Sequence, residues 1–327
     1  MQRPGFFLPR LTKNYYLNFY GGEPLLSFNL IKKTISFLLN KNEELNKRVN
    51  YSITTNGILL TEKIIQFLNK HKFSVELSFD GLAQDVSRKK GSFKKIVSSI
   101  KELLNYLNIN LEVNSVFTPM TVDYISESIK FIMALGVPNI HFSLSIIEPW
   151  DQACLLKLEN ELTKLRKIAL AHYKRSGNIP VINFREDNGK GIFYCAAGKD
   201  RLAITPEGEI WGCYLFPDYF KGKEKTLEYQ KLYFGTLDNF IENHEDIYPQ
   251  IFSNYAQLSM DNFSTSAMKC FLCLDLENCR ICPVNASFSG VSLGKIPLYA
   301  CEIQKIKIKE KEIFRKEFQK ISSLNYS

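Results

Sequence analysis

The sequence predicts an α/β protein, with a parallel sheet in its first half and a smaller cysteine-rich domain in its second. Two observations carry this reading: strand-like and helix-like segments alternate from the start to about residue 150, and seven of the eight cysteines fall from Cys195 onward. Parallel neighbours need helical crossovers, so five β-α units in succession imply a parallel sheet. An open doubly wound sheet and a partial barrel both fit. The 327 residues correspond to about two domains, with a boundary between residues 175 and 190, giving segments 1–180 and 181–327.

The strands are expected at Tyr15 to Tyr20, Val49 to Ile53, Val75 to Phe79, Leu111 to Phe117 and Ile140 to Ile146. Between them, apolar residues recur at helical spacing: Leu30, Ile31, Ile35, Leu38 and Leu39; then Ile64, Ile65 and Leu68; then Ile96, Ile100, Leu103, Leu104 and Leu107. Ser27, Thr61 and Ser92 stand where N-caps belong, and Gly136 followed by Pro138 stops a fourth helix. A charged helix is expected over Gln152 to Arg175. Arg201 to Thr205 and Glu209 to Leu215 flank the turn Pro206-Glu207-Gly208 as a hairpin, and a lysine-rich helix closes the chain from about Ile303.

Composition excludes several classes. With 45% hydrophobic and 23% charged residues the chain is globular rather than disordered. The net charge of +8 comes from interspersed lysines and arginines with no long basic block, which argues against a nucleic-acid partner. No run approaches eighteen apolar residues, which argues against a membrane span, and the apolar start is broken by Pro9 and Arg10. A soluble, cytoplasmic protein is expected. In that compartment clustered cysteines argue for metal before disulfides.

The cysteine spacing is Cys195-x12-Gly208-x4-Cys213, then Cys270-x2-Cys273-x5-Cys279-x2-Cys282, then Cys301. Two residues between cysteines let both thiolates turn toward one centre, while nearby N–H groups point at its sulfides. Zinc is an alternative for the quartet Cys270, Cys273, Cys279 and Cys282. Only five residues separate its two pairs, however, shorter than the common ribbon spacing of roughly 12 to 20. Lone Cys154 reads as a small buried hydrophobe.

In the first half, three successive strands end in polar, glycine-containing motifs: Gly21-Gly22-Glu23-Pro24, Ser52 to Gly57 (SITTNG) and Leu77 to Gly81 (LSFDG). Ligands bind at the carboxyl ends of parallel strands. Two glycines allow close backbone approach, and Glu23 offers a carboxylate to an ammonium group. A tight strand-to-helix turn would also explain the tetrapeptide.

These motifs in this order resemble radical S-adenosylmethionine (radical SAM) enzymes with a C-terminal SPASM domain, the group that includes anaerobic sulfatase maturases and peptide-modifying maturases. The matching pieces are NFYGGEPLL, TTNG, SFDG followed by Arg88 and Gly91-Ser92-Phe93, and the seven-cysteine pattern; they span essentially the whole chain. The resemblance implies a partial parallel (β/α) barrel, then a SPASM iron-sulfur domain and a terminal helix. It implies that Gly21, Gly22 and Glu23 hold the methionine ammonium of S-adenosylmethionine, with Pro24 fixing the turn. Thr54 and Ser78 would face the cofactor, and Arg88 would pair with its carboxylate. It further implies two auxiliary four-iron four-sulfur clusters, one on Cys270, Cys273, Cys279 and Cys301, the other on Cys195, Cys213 and Cys282. The stretch NGKGIFYC before and including Cys195 supplies no further cysteine ligand for the second.

The family's C-x3-C-x2-C loop has no counterpart, since no cysteine precedes Cys154, and five β-α repeats are found where the family has six. The expectation is therefore a barrel lacking its first unit, and no catalytic residue is assigned. As part of a maturase, the chain would help oxidise or crosslink side chains of a peptide or protein by 5'-deoxyadenosyl radical chemistry, with a reductant such as flavodoxin or ferredoxin. The alternative is a non-catalytic iron-sulfur protein of the same descent, serving electron transfer or peptide binding.

Overall fold

The computed structural model describes residues 14–45, 48–185 and 191–324. The opening segment with Pro9 and Arg10, and Asn188-Gly189-Lys190 ahead of Cys195, lie outside them. Two compact units emerge: one of residues 1–117, 124–144 and 167–183, the other of residues 118–123, 145–166 and 184–327.

The first unit is a five-stranded sheet in the order β1-β2-β3-β4-β5, every pair parallel. Its strands are β1 (Asn14–Phe19), β2 (Arg48–Thr55), β3 (Ser74–Ser78), β4 (Asn110–Phe117) and β5 (Asn139–Leu144). The helices between them are α1 (Phe28–Leu45), α2 (Glu62–Lys70), the short α3 (Gln84–Ser87), α4 (Phe93–Leu103) and α5 (Ile125–Ala134); α6 (Gln152–Ser176) follows, belonging to this unit only from Lys167 on. Sequential order with right-handed crossovers places every crossover helix on one face, the winding of a partial (β/α) barrel rather than a doubly wound sheet.

Side-chain alternation agrees. Ile53, Val75, Leu77, Val113, Ile140 and Phe142 are buried with Ile65, Leu68, Ile96, Ile100 and Ile129 of the helices. Each such side chain contributes about 1.5–3 kcal/mol on burial. The other face carries Asn18, Ser52, Thr54, Glu76, Ser78, Asn114 and His141, placed together by the register. The β5 edge is covered where Asn183 accepts from Phe142 N–H (3.0 Å) and donates to Phe142 C=O (2.9 Å).

Four local expectations need correction. Ser27 is no cap, because a 3-10 turn over Pro24–Ser27 runs straight into α1, and Glu23 caps that turn instead. Ser92 precedes α4 without a capping bond, its hydroxyl accepting from Gln84 instead. Leu107 lies beyond the end of α4 and is exposed. The terminal helix starts five residues earlier than expected, at Leu298, and so carries Cys301 within it. Thr61 does cap α2, accepting from Ile64 N–H.

The second unit holds a small antiparallel sheet of β6 (Ala203–Ile204), β7 (Glu209–Trp211) and β8 (Tyr233–Thr236). Helices α7 (Phe216–Phe220), α8 (Leu227–Leu232), α9 (Leu237–Ala256), α10 (Pro283–Ser287) and the long α11 (Leu298–Leu324) pack around it. Its core is aromatic: Trp211 stacks on Phe220 at 5.3 Å and meets Tyr229 edge-on at 5.2 Å. Arg166 pins α11, donating to Glu310 at 2.8 Å and to Glu317, while Thr163 donates to Glu310 at 2.9 Å. No helix among the described residues is long and apolar enough to cross a membrane.

Candidate functional site

The first site lies at the carboxyl ends of β1, β2 and β3. Gly21 adopts φ +148°, which side-chain-bearing residues rarely reach. A Cβ added at Gly21 or Gly22 would meet no atom within 4 Å. Nothing in the polypeptide therefore demands glycine at Gly22; its bareness keeps a strip of backbone accessible to a ligand. That cradle fits a small polar cofactor at the strand end.

Glu23 lies beside this strip, and the fold brings three donors to its carboxylate. Oε1 accepts from Leu25 N–H (3.1 Å) and from the Thr55 hydroxyl (2.7 Å), and Oε2 accepts from Asn56 N–H (2.9 Å). Three of about four acceptor positions are thus taken by the protein. Glu23 ties the end of β1 to the end of β2, a role to which its sequence neighbourhood gives no clue. Pro24 opens the 3-10 turn at a position that needs no N–H.

Thr54 and Ser78 both fall on the polar face: Thr54 is level with Glu76, and Ser78 with Asn114. Adjacent Thr55 points the opposite way and is buried. Arg88 makes a two-pronged pair with Asp80, Nε at 2.7 Å and Nη2 at 3.1 Å. Asp80 is 1% exposed and also accepts from Val116 N–H at 2.8 Å. Asp80 lies in the SFDG segment, but its role as the partner of Arg88, eight residues on, is seen only in the structure.

The second site is built from thiols. Cys270, Cys273, Cys279 and Cys301 line one cavity, closed by Met260, Leu276, Ile281 and Ile296. Cys270 and Cys273 open and follow one 3-10 turn, Cys279 follows a second, and Cys301 lies in the first turn of α11. Tyr299 positions that turn by donating to Ile146 C=O at 2.7 Å, and Gln304 ties α11 to Asn278 C=O at 3.4 Å. Burial pushes the Cys270 and Cys301 thiols up and the Cys279 thiol up to about 11.

Cys195, Cys213 and Cys282 form a separate set whose charges interact with one another. Burial pushes Cys213 up and Cys282 up to about 11, yet backbone N–H groups are aimed at the sulfurs: Ala197 at Cys195 (3.4 Å) and Asn285 at Cys282 (3.5 Å). Such donors favour the thiolate and partly offset burial at Cys213 and Cys282. Tyr255 holds the backbone before Cys213, accepting from Gly212 N–H (2.9 Å) and donating to Leu232 C=O (2.6 Å). A Cβ at Gly212 would lie 2.4 Å from the Tyr255 ring, so only glycine permits this approach.

All eight cysteines are free thiols. Among the described residues no three Cys, His, Asp or Glu side chains converge tightly enough for one metal ion. Four soft thiols around a shared apolar cavity suit a polynuclear iron-sulfur core. Cys154 belongs to neither set; its N–H donates to Asp151 at 2.7 Å near the start of α6.

A parallel, singly wound sheet with a bare glycine strip at its strand ends defines an α/β cofactor-binding domain. Residues 11–143 match the Radical SAM superfamily. Over that stretch the chain is similar to radical SAM domains. It is 26% identical over 93% of its length to the radical SAM cyclopropyl synthase TigE of Paramaledivibacter caminithermalis, and spans 62% of that relative's length. Over 36% of the chain and 33% of the relative it is 34% identical to a cysteine-type anaerobic sulfatase-maturating enzyme of Clostridium novyi. Among solved structures, native anSMEcpe with bound AdoMet superposes with a TM-score of 0.72 at 17% identity, covering 96% of this chain and 87% of that one. That likeness shows the fold.

Proposed function

We propose that this chain is the cofactor-binding and auxiliary-cluster part of a radical SAM maturase of the SPASM type, acting on side chains of a peptide or protein. The observation that carries the proposal is the shared cavity of Cys270, Cys273, Cys279 and Cys301 in a chain whose residues 11–143 are similar to radical SAM domains. The names of the relatives support it: a cyclopropyl synthase, sulfatase-maturating enzymes, and an anSMEcpe structure holding AdoMet and a peptide.

In this reading the backbone of Gly21 and Gly22 receives the methionine end of S-adenosylmethionine, and Glu23 holds that backbone in place through Thr55 and Asn56. Thr54 and Ser78 meet the cofactor from the polar face, and Arg88 offers its remaining Nη to a carboxylate while Asp80 fixes its plane. S-adenosylmethionine held there, together with a reduced iron-sulfur centre, would supply the chemistry of hydrogen-atom removal from the substrate. The two thiol sets would each hold an auxiliary four-iron cluster, Cys270, Cys273, Cys279 and Cys301 one, Cys195, Cys213 and Cys282 the other. A small electron carrier of the flavodoxin or ferredoxin kind would serve them.

Calorimetric titration of the anaerobically reconstituted chain with S-adenosylmethionine tests the cofactor role. Binding is expected in the wild type and lost in Gly22→Val, whose fold is checked by circular dichroism. A wild type that does not bind, or a variant that binds equally well, contradicts it.

A further inference from the structure

The loop that presents Cys270 and Cys273 also carries four large apolar side chains that reach solvent. Within seven residues, Met268 is 39% exposed, Phe271 52%, Leu272 62% and Leu274 102%. Apolar side chains scattered singly over a surface need no explanation, but four on one short loop mark an interaction surface. The loop is held in shape from within. Thr265 N–H donates to Met268 C=O at 2.9 Å, and the Thr265 hydroxyl accepts from Ala267 and Met268 N–H, each at 3.1 Å. Cys270 N–H donates to Phe263 C=O at 2.8 Å.

Met268 and Thr265 also line the cavity shared by Cys270, Cys273, Cys279 and Cys301. Met268 thus meets the thiol cavity and solvent with one side chain, so a single layer separates the thiols from whatever covers the patch. Charge gathers at the same place. Ser264 is bridged to Lys269 and to Lys295, both exposed, which brings two cations from separate segments together. Lys295 Nζ donates to Ser264 Oγ at 2.9 Å, and Lys269 Nζ lies 5.9 Å from the centre of the Phe271 ring. The acidic groups nearby in sequence, Asp261, Asp275 and Glu277, stand on or beside the separate 3-10 turns Met260–Asn262 and Leu276–Asn278. An apolar centre with cations at its edge suits a small, transient contact with an acidic partner.

We propose that Met268, Phe271, Leu272 and Leu274, with Lys269 and Lys295 at their edge, form the docking surface for an acidic one-electron carrier of the flavodoxin kind. This surface presupposes the four-iron reading of the neighbouring thiols and adds the partner's place to it. In the transfer one electron leaves the reduced flavin of the carrier, which is oxidised by one electron, and enters the iron-sulfur centre, which is reduced by one. No covalent bond forms or breaks.

The test mixes the anaerobically reconstituted chain with a reduced flavodoxin, and separately with dithionite, and follows the loss of iron-sulfur absorbance by stopped flow. Binding of the oxidised flavodoxin is read by calorimetry. Leu274→Asp, at a fully exposed position, is expected to weaken flavodoxin binding and slow its second-order reduction several-fold. Its iron content and its rate with dithionite are expected to match the wild type. Lys269→Glu combined with Lys295→Glu is expected to slow flavodoxin about ten-fold at low ionic strength, an effect that fades at high salt. Flavodoxin binding and rates equal in the wild type and both variants, or no binding to the wild type, overturn the docking surface while a full iron count and dithionite reduction leave the maturase reading standing. A chain that takes up no iron overturns both. If the patch seats a second copy instead, sedimentation shows a dimer that Leu274→Asp disperses with flavodoxin binding unchanged, and the proposal falls.

Discussion

In the sheet unit the polar groups of the site are held by partners already present in the polypeptide: Glu23 by Leu25, Thr55 and Asn56, and Asp80 by Arg88 and Val116. In the cysteine unit the thiols stand on short turns, and burial keeps those of Cys279 and Cys282 protonated, up to about 11. The first site is assembled by parallel strands whose register is set by an apolar face. The second has its surroundings built, an aromatic core and an anchored α11, and in the proposed function its charges would be completed by a metal core. The contrast teaches that the two sites should fail differently: one through its own hydrogen bonds, the other through its ligand.

The largest expected effect is in the cysteine unit. Replacing Cys279 with serine is expected to lower bound iron by about four atoms per chain, measured after anaerobic reconstitution, while Thr54→Ala leaves the iron unchanged. Equal iron in the two variants would erase the contrast. Linkage gives a sign as well. Burial raises these thiols above their unfolded values, so apo-unit stability from this source is lost as pH rises through the folded values, near 11 for Cys279 and Cys282. Cluster binding requires deprotonation and is therefore expected to tighten with rising pH over the neutral range, read by competition with a chelator.

Next in size is Arg88→Ala, which strands the buried Asp80 carboxylate and is expected to destabilise the chain by about 3 kcal/mol in urea denaturation. Asp80→Asn combined with Arg88→Ala should recover part of that loss. Tyr255→Phe removes two hydrogen bonds beneath Cys213 and is expected to cost about 1–3 kcal/mol. The smallest effect belongs to Gly22→Ala, expected within about 0.5 kcal/mol of wild type in thermal denaturation, since no atom lies near its Cβ. Gly21→Ala, forced into a rare φ, is expected to lose about 1–3 kcal/mol.

How much of this could be read from the residues depended on range. Strands and helices of the sheet unit were legible because their apolar periods are local, and the five expected strands match those observed to within about two residues at each end. Leu107 and the start of α11 were misjudged because periodicity does not say where packing ends. The partners of Glu23 and Arg88 were not legible in the same way: Thr55 lies 32 residues from Glu23, and only strand pairing brings them together. Nor were the hydrogen bonds of Asn114 with Glu76 and His141, joined across separations of 38 and 27 residues by register alone. Short spacing alone puts Cys282 with Cys279; the set Cys270, Cys273, Cys279 and Cys301, which lines one cavity, is implied by the family resemblance and not by spacing.

The most direct test of the central claim, that the second half is an iron-sulfur domain joined to a radical SAM sheet, is a count of iron and acid-labile sulfide per chain after anaerobic reconstitution. About eight of each is the expected result, falling to about four when Cys279 is serine. A chain that takes up zinc alone, or iron without sulfide, would contradict it.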